Sequence, residues 1–147
     1  MEKTESGEKL ISITRVWEGL FLGGLLDAER LGKANPFGIS VVISLSETAP
    51  CNLRPDVTYI HLAIEDAQAI SVDQFTAIIG AIAANIRRGK VLLHCGSGIS
   101  RAPLMVAAYL HVVGYKNFDA ALKEIAGLRP YIAPWATLIA SVREHLR

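Results

Sequence analysis

The chain has 147 residues, 51% hydrophobic and 20% charged, which is long enough to bury one core without disulfides and too apolar for a disordered or low-complexity chain. Fifteen Lys and Arg against fourteen Asp and Glu leave a formal charge of +1, which argues against a general nucleic-acid or anionic-membrane binder but allows a local cluster of positive potential. Two cysteines, Cys51 and Cys95, are too few for a disulfide framework, and neither belongs to a CxxC or CxxH pair, so no zinc site is expected.

Residues 1–10 read as a flexible leader and 11–147 as a single domain. The polar start shows no secretory signal, and the longest apolar stretches, such as Ala102 to Val113, fall short of a membrane span. With free thiols, the expected compartment is the cytoplasm.

In chain order, Ile11–Thr14 alternates like a short strand, and Leu20–Leu22 is another, ended by Gly23 and Gly24. Asp27 is predicted to cap a helix over Ala28–Ala34. Val41–Leu45 is a continuous apolar run, as in a strand buried on both faces. Ser46–Pro55 is a loop, and Val57–Leu62 a further strand. Ser71 caps a long helix carrying Phe75, Ile78, Ile79, Ile82 and Ile86 at helical spacing, closed by Arg87, Arg88 and Gly89. Val91–Leu93 is a short strand, and His94–Arg101 a Gly-rich turn. Pro103 is predicted to open a helix over Leu104–Val113, Asp119 to cap one over Ala120–Gly127, and a last helix to run from Trp135 to Leu146. The order predicts an α/β fold, a central and mostly parallel sheet with helices on both faces, whose ligands bind beyond the carboxyl ends of the strands.

The loop after Val91–Leu93 lies at such an end. Two glycines let it wrap so that consecutive N–H groups of Gly96, Ser97, Gly98, Ile99 and Ser100 converge on an anion. The helix that follows adds free donors and partial positive charge. Arg101 supplies a planar fork for two oxygens of a tetrahedral oxyanion. A Cys in that field is expected to be a thiolate near neutral pH, so the loop would bind phosphate and aim Cys95 at its phosphorus.

With His94 in front, five residues between Cys95 and Arg101, a strand before and a helix after, the segment resembles the loop of the Cys-x5-Arg phosphatases, the Cys-based protein tyrosine phosphatase superfamily. The stretch from Trp17 to Gly24, the strand from Phe37 to Ser46, the segment Tyr59–Asp66 and the late Leu128–Arg129–Pro130 with Ile132 and Pro134 resemble the compact atypical dual-specificity phosphatases over about residues 11–146. That resemblance implies a protein phosphatase acting on phosphotyrosine, and on phosphoserine or phosphothreonine, through a cysteinyl-phosphate intermediate. No cofactor or metal is implied. It puts a general acid in the loop of Asp66, with Glu65 as rival and Asp73 behind it, and gives His94 a supporting role. His61 and His111 read as structural, Arg54 as a solvated loop charge, and Cys51 as an inert thiol or a trap for oxidised Cys95. The absence of Lys from the loop disfavours a phosphoinositide substrate.

Two positions depart from the family pattern. Ala102 stands where Ser or Thr is common, so hydrolysis of the intermediate is expected to be slow. Trp135 stands where Asn is usual, which implies either a missing supporting hydrogen bond near the site or simply a Trp packed against the final helix. Two other functions stay open: a phosphoprotein-binding module with little turnover, and a phosphatase for a non-protein phosphate ester.

Overall fold

The computed structural model describes residues 13–147. The expected leader and the start of the strand expected at Ile11 lie outside the described residues. Among the described residues, the elements are β1 (Thr14–Trp17), β2 (Leu20–Gly23), α1 (Leu25–Arg30), β3 (Ile39–Ser44), β4 (Thr58–His61), α2 (Val72–Asn85), β5 (Lys90–His94), α3 (Arg101–Val112), α4 (Phe118–Leu128) and α5 (Ala136–His145).

The five strands form one sheet in the order β1-β2-β5-β3-β4. Only the β1–β2 hairpin is antiparallel, and β5 lies at the centre between β2 and β3. Side-chain alternation divides the interior in two. Val41, Ile43, Val91 and Leu93 join the larger core with residues of α2, α3, α4 and α5, while Val42 and Leu92 meet Ala28 and Leu31 on the face covered by α1. The expected mostly parallel sheet with helices on both faces is therefore what the chain forms, with the helices unequally shared. The continuous apolar runs of β3 and β5 are the sequence trace of strands buried on both faces.

Helix starts differ from the sequence expectation in an instructive way. Ser71 and Gln74 do form a reciprocal cap on α2: Ser71 Oγ accepts the Gln74 N–H (3.1 Å) and Gln74 Oε1 accepts the Ser71 N–H (2.9 Å). At α1, however, Asp27 lies inside the first turn and reaches back to accept the Gly24 N–H at 2.9 Å. At α4 it is Asn117 that caps, accepting the Ala120 N–H at 2.9 Å, while Asp119 pairs with Arg143 of α5. Helix α3 starts at Arg101 rather than beyond Pro103. First-turn N–H groups have no partner inside the helix, so proline costs nothing there, and the helix extends back to the loop. Among the described residues no helix is long and apolar enough to cross a membrane.

Candidate active site

The turn Cys95–Ser100 begins where β5 ends and stops where α3 starts. Its backbone is held from outside by donors from three other parts of the chain. The Leu25 N–H donates to the Gly96 carbonyl (2.8 Å) and the Ala133 N–H to the Ile99 carbonyl (2.7 Å). Arg129, just beyond α4 and fully buried, donates through Nε to the Gly98 carbonyl (3.0 Å) and through Nη2 to that of Ser97 (3.4 Å). Its Nη1 reaches Thr14 Oγ1 in β1 at 2.9 Å. A peptide unit carries its N–H opposite its carbonyl. Four consecutive carbonyls turned toward these donors therefore turn the following N–H groups to the other side, as an anion-binding nest requires.

Two glycines make this docking possible. Gly98 has φ +73°, and a Cβ there would lie 2.6 Å from both Arg129 Nη2 and the Gly23 carbonyl oxygen. A Cβ on Gly24 would stand 2.9 Å from the Gly96 carbonyl oxygen. The pair after β2 thus seats the loop as well as ending a strand. Beneath it, burial raises the carboxyl of Asp27 above its ordinary range, opposed by the Gly24 N–H and by the positive charges of Arg129 and Arg30.

Cys95 is buried, and its Sγ lies 3.4 Å from the backbone N–H of Ala102, which points to it as a donor. That N–H belongs to the unpartnered first turn of α3, so the helix start faces the sulfur directly. Arg101 is buried with its guanidinium between two loops. Nη1 donates to the Ile64 carbonyl (2.9 Å) and to the Glu47 carboxylate. Nε is buried with no hydrogen-bond partner among the described residues, and stands 3.8 Å from Asp66 Oδ1. Nη2 approaches the turn, where a Cβ on Gly96 would lie 3.3 Å from it.

The structure brings Cys95, Arg101 and Asp66 to the carboxyl end of the sheet, with Asp66 half-exposed in the loop after β4. An open cleft adjoins them, lined in part by Glu47, Ile64, Glu65 and Gln74. Glu65 lines the cleft but makes no ion pair with Arg101, and Asp73 sits in the first turn of α2. His94 is buried. Its Nδ1 lies 3.1 Å from the Cys95 carbonyl, and burial pushes its imidazole below the ordinary histidine range.

The remaining candidates have other partners. His61 Nε2 meets the Ser46 carbonyl at 2.6 Å, and His111 Nδ1 accepts the Phe118 N–H at 3.0 Å. Arg54 pairs with Asp56 and donates to the Leu31 carbonyl (3.0 Å), so it braces a loop against α1. Cys51 is exposed beside Glu29, whose hydrogen bond raises the thiol above its ordinary range. Trp135 is more than half exposed at the start of α5, so the packing expected for it is at most partial.

Sequence reasoning missed Glu47 and the seating roles of Arg129 and Asp27. Glu47 had one readable signal: an acidic residue just past a buried parallel strand, at the end of the sheet where ligands bind. The buried arginine was legible only as part of the Leu128–Arg129–Pro130 resemblance; its seating role was not, because Thr14 and the loop carbonyls it bonds are remote in sequence.

Comparison with known proteins adds findings of three kinds. Residues 20–147 match the family model described as dual specificity phosphatase, catalytic domain. The chain is 30% identical over 124 residues to mouse dual specificity protein phosphatase 15, covering 83% of this chain and 52% of that protein. It is 29% identical over 124 residues to zebrafish dual specificity protein phosphatase 22-A, covering 83% of this chain and 59% of that protein. The chain thus spans about half the length of the curated relatives it matches. Among solved structures, DUSP15 superposes with a TM-score of 0.77 at 29% identity, covering 93% of this chain and 86% of that one. A human tyrosine phosphatase-like serine/threonine/tyrosine-interacting protein superposes with a TM-score of 0.82 at 25% identity, covering 92% and 96%.

Proposed function

The chain belongs to the dual specificity phosphatase catalytic-domain family, and from that premise we propose that it hydrolyses phosphotyrosine, with phosphoserine and phosphothreonine as further substrates, in phosphorylated proteins or peptides. The observation that carries this reading is the buried sulfur of Cys95 facing the Ala102 N–H in the first turn of α3, with the buried Arg101 starting that helix and its Nε making no hydrogen bond among the described residues, only the 3.8 Å ion pair with Asp66. The catalytic unit is taken as one domain over 11–147. The free thiols fit a reducing compartment, and the cytoplasm is assigned on that ground.

The chemistry follows in two displacements. The Cys95 thiolate attacks phosphorus, an S–P bond forms, and the P–O bond to the substrate side chain breaks. The departing oxygen takes a proton from the Asp66 carboxyl. A water then attacks the phosphocysteine and gives its proton to the Asp66 carboxylate, the S–P bond breaks, and inorganic phosphate leaves with the thiolate restored. Through both steps the N–H groups of Gly96 to Ser100 and the Nε–Nη2 edge of Arg101 oppose the charge on the equatorial oxygens. The Ala102 N–H stabilises the sulfur anion each time it departs, while the methyl at that position offers no hydroxyl to help.

Steady-state turnover of p-nitrophenyl phosphate tests the reading. Wild-type protein is expected to turn over, and Cys95→Ser to lose all of it. Asp66→Asn is expected to lose roughly a hundredfold or more, with the acidic limb of the pH profile changed. Turnover untouched by Cys95→Ser would contradict the reading.

A second reading, a phosphoprotein-binding module, draws on Ala102 and on the likeness to a tyrosine phosphatase-like interacting protein. It predicts that wild-type and Cys95→Ser proteins bind a phosphopeptide equally while neither releases phosphate.

A further inference from the structure

Glu47 follows β3 in the loop next to the turn, and its carboxylate accepts from Arg101 Nη1. An arginine presents two forked edges. Glu47 and the Ile64 carbonyl both take Nη1, which leaves the Nε–Nη2 edge as the pair of donors for an oxyanion. Nη2 lies toward Gly96, and the buried Nε has no hydrogen-bond partner among the described residues. The same carboxylate is held in its charged form first by Arg101 and then by its own N–H, with the N–H of Asp66 contributing too. Glu47 therefore shares Nη1 of the arginine with the Ile64 carbonyl, at the start of the loop that carries the acid.

We propose that Glu47 is a positioning residue: by holding Nη1 of Arg101, which also donates to the Ile64 carbonyl two residues before Asp66, it sets the arginine's free edge toward the phosphate and keeps the guanidinium from turning onto the acid. This rests on the phosphatase reading and extends it to a residue that does not touch the reacting atoms. Without the carboxylate, Nη1 keeps only the Ile64 carbonyl, and the guanidinium is free to swing toward Asp66, its other carboxylate neighbour. That would weaken the grip on the oxyanion and occupy the proton donor at once.

The test compares wild type, Glu47→Ala and Glu47→Gln of the full chain for kcat and KM on p-nitrophenyl phosphate and phenyl phosphate, and for inhibition by tungstate. Glu47→Ala is expected to lose roughly ten- to a hundredfold in kcat/KM, the usual scale for a misplaced catalytic group. It should lose more on phenyl phosphate, whose poorer leaving group depends more on the acid, and its tungstate inhibition should weaken. Glu47→Gln keeps an oxygen acceptor for Nη1 and is expected to recover part of both losses. Unchanged kcat/KM and tungstate inhibition in Glu47→Ala would overturn the inference while leaving Cys95-dependent turnover intact. Should Glu47→Ala not fold, Glu47→Gln decides alone: weaker tungstate inhibition supports the role, and wild-type inhibition refutes it. If wild type itself showed no turnover, the phosphatase reading would fall. The tungstate-induced rise in melting temperature would then decide on Glu47, a smaller rise in the variant supporting its role and an equal one refuting it.

Discussion

Ala102 has no side-chain donor, and what that residue offers Cys95 is its backbone N–H. A hydroxyl there would give the leaving thiolate a second hydrogen bond, worth most in the step that breaks the S–P bond. Ala102→Ser is therefore expected to shrink the pre-steady-state burst and raise the steady rate a few-fold, as read by rapid-quench release of p-nitrophenol. An unchanged burst and steady rate would mean that breakdown of the intermediate is not limited at this position. His94 makes a different prediction. Burial, ahead of every other influence, holds its imidazole below the ordinary value of about 6.5, so folding favours the neutral ring. Its contribution to stability is then complete above the unfolded value and is lost as pH falls from there toward the folded one. Urea unfolding between pH 7 and 5.5 should show stability falling by up to about 1.4 kcal/mol per pH unit from this residue, and the slope should flatten in His94→Gln. Equal slopes in the two proteins would contradict the assignment.

The element that matters most is the turn, and it is built by parts of the chain distant in sequence. Gly98 permits its left-handed backbone and lets Arg129 and Gly23 approach. Gly98→Ala meets all three constraints at once and is expected to cost about 1–3 kcal/mol in thermal or urea unfolding, with most activity lost. A stable and fully active Gly98→Ala would show that the seating of the turn is not needed. The sequence made the turn itself legible, because Cys95, Gly98 and Arg101 sit between a short apolar run and a helical one. What escaped it was the support. Asp27 reads as a cap, and in fact bonds back from inside α1 under the loop. Asp119 reads as a cap too, yet Asn117 takes that task while Asp119 faces Arg143. Short polar side chains can serve several neighbouring N–H groups, and the local sequence does not choose among them. Arg129 could be quoted as part of a motif, but its bonds to Gly98 and Ser97 depend on a fold that brings the end of α4 to the turn after β5.

For the molecule as a whole, the arrangement is that of a mostly parallel sheet whose central strand leads into the nucleophile, while the loops after β3 and β4 carry Glu47 and Asp66. Apolar runs and turn residues were sufficient to read the sheet, since strands buried on both faces leave an unbroken apolar trace. They were not sufficient to read Trp135, where an aromatic side chain suggested packing and the structure leaves it exposed. A large apolar side chain signals burial only where an element offers a face to cover it. The family relation extends over residues 20–147, the stretch that holds Cys95, Arg101, Asp66 and every described element but β1. The measurement that bears most directly on the proposed chemistry is acid quenching of the protein during turnover of a phosphorus-labelled aryl phosphate, followed by peptide mapping. Phosphorus is expected on the sulfur of Cys95, at up to one equivalent per chain and absent from Cys95→Ser. Turnover with no phosphocysteine at any quench time, or label on Cys51 instead, would contradict it.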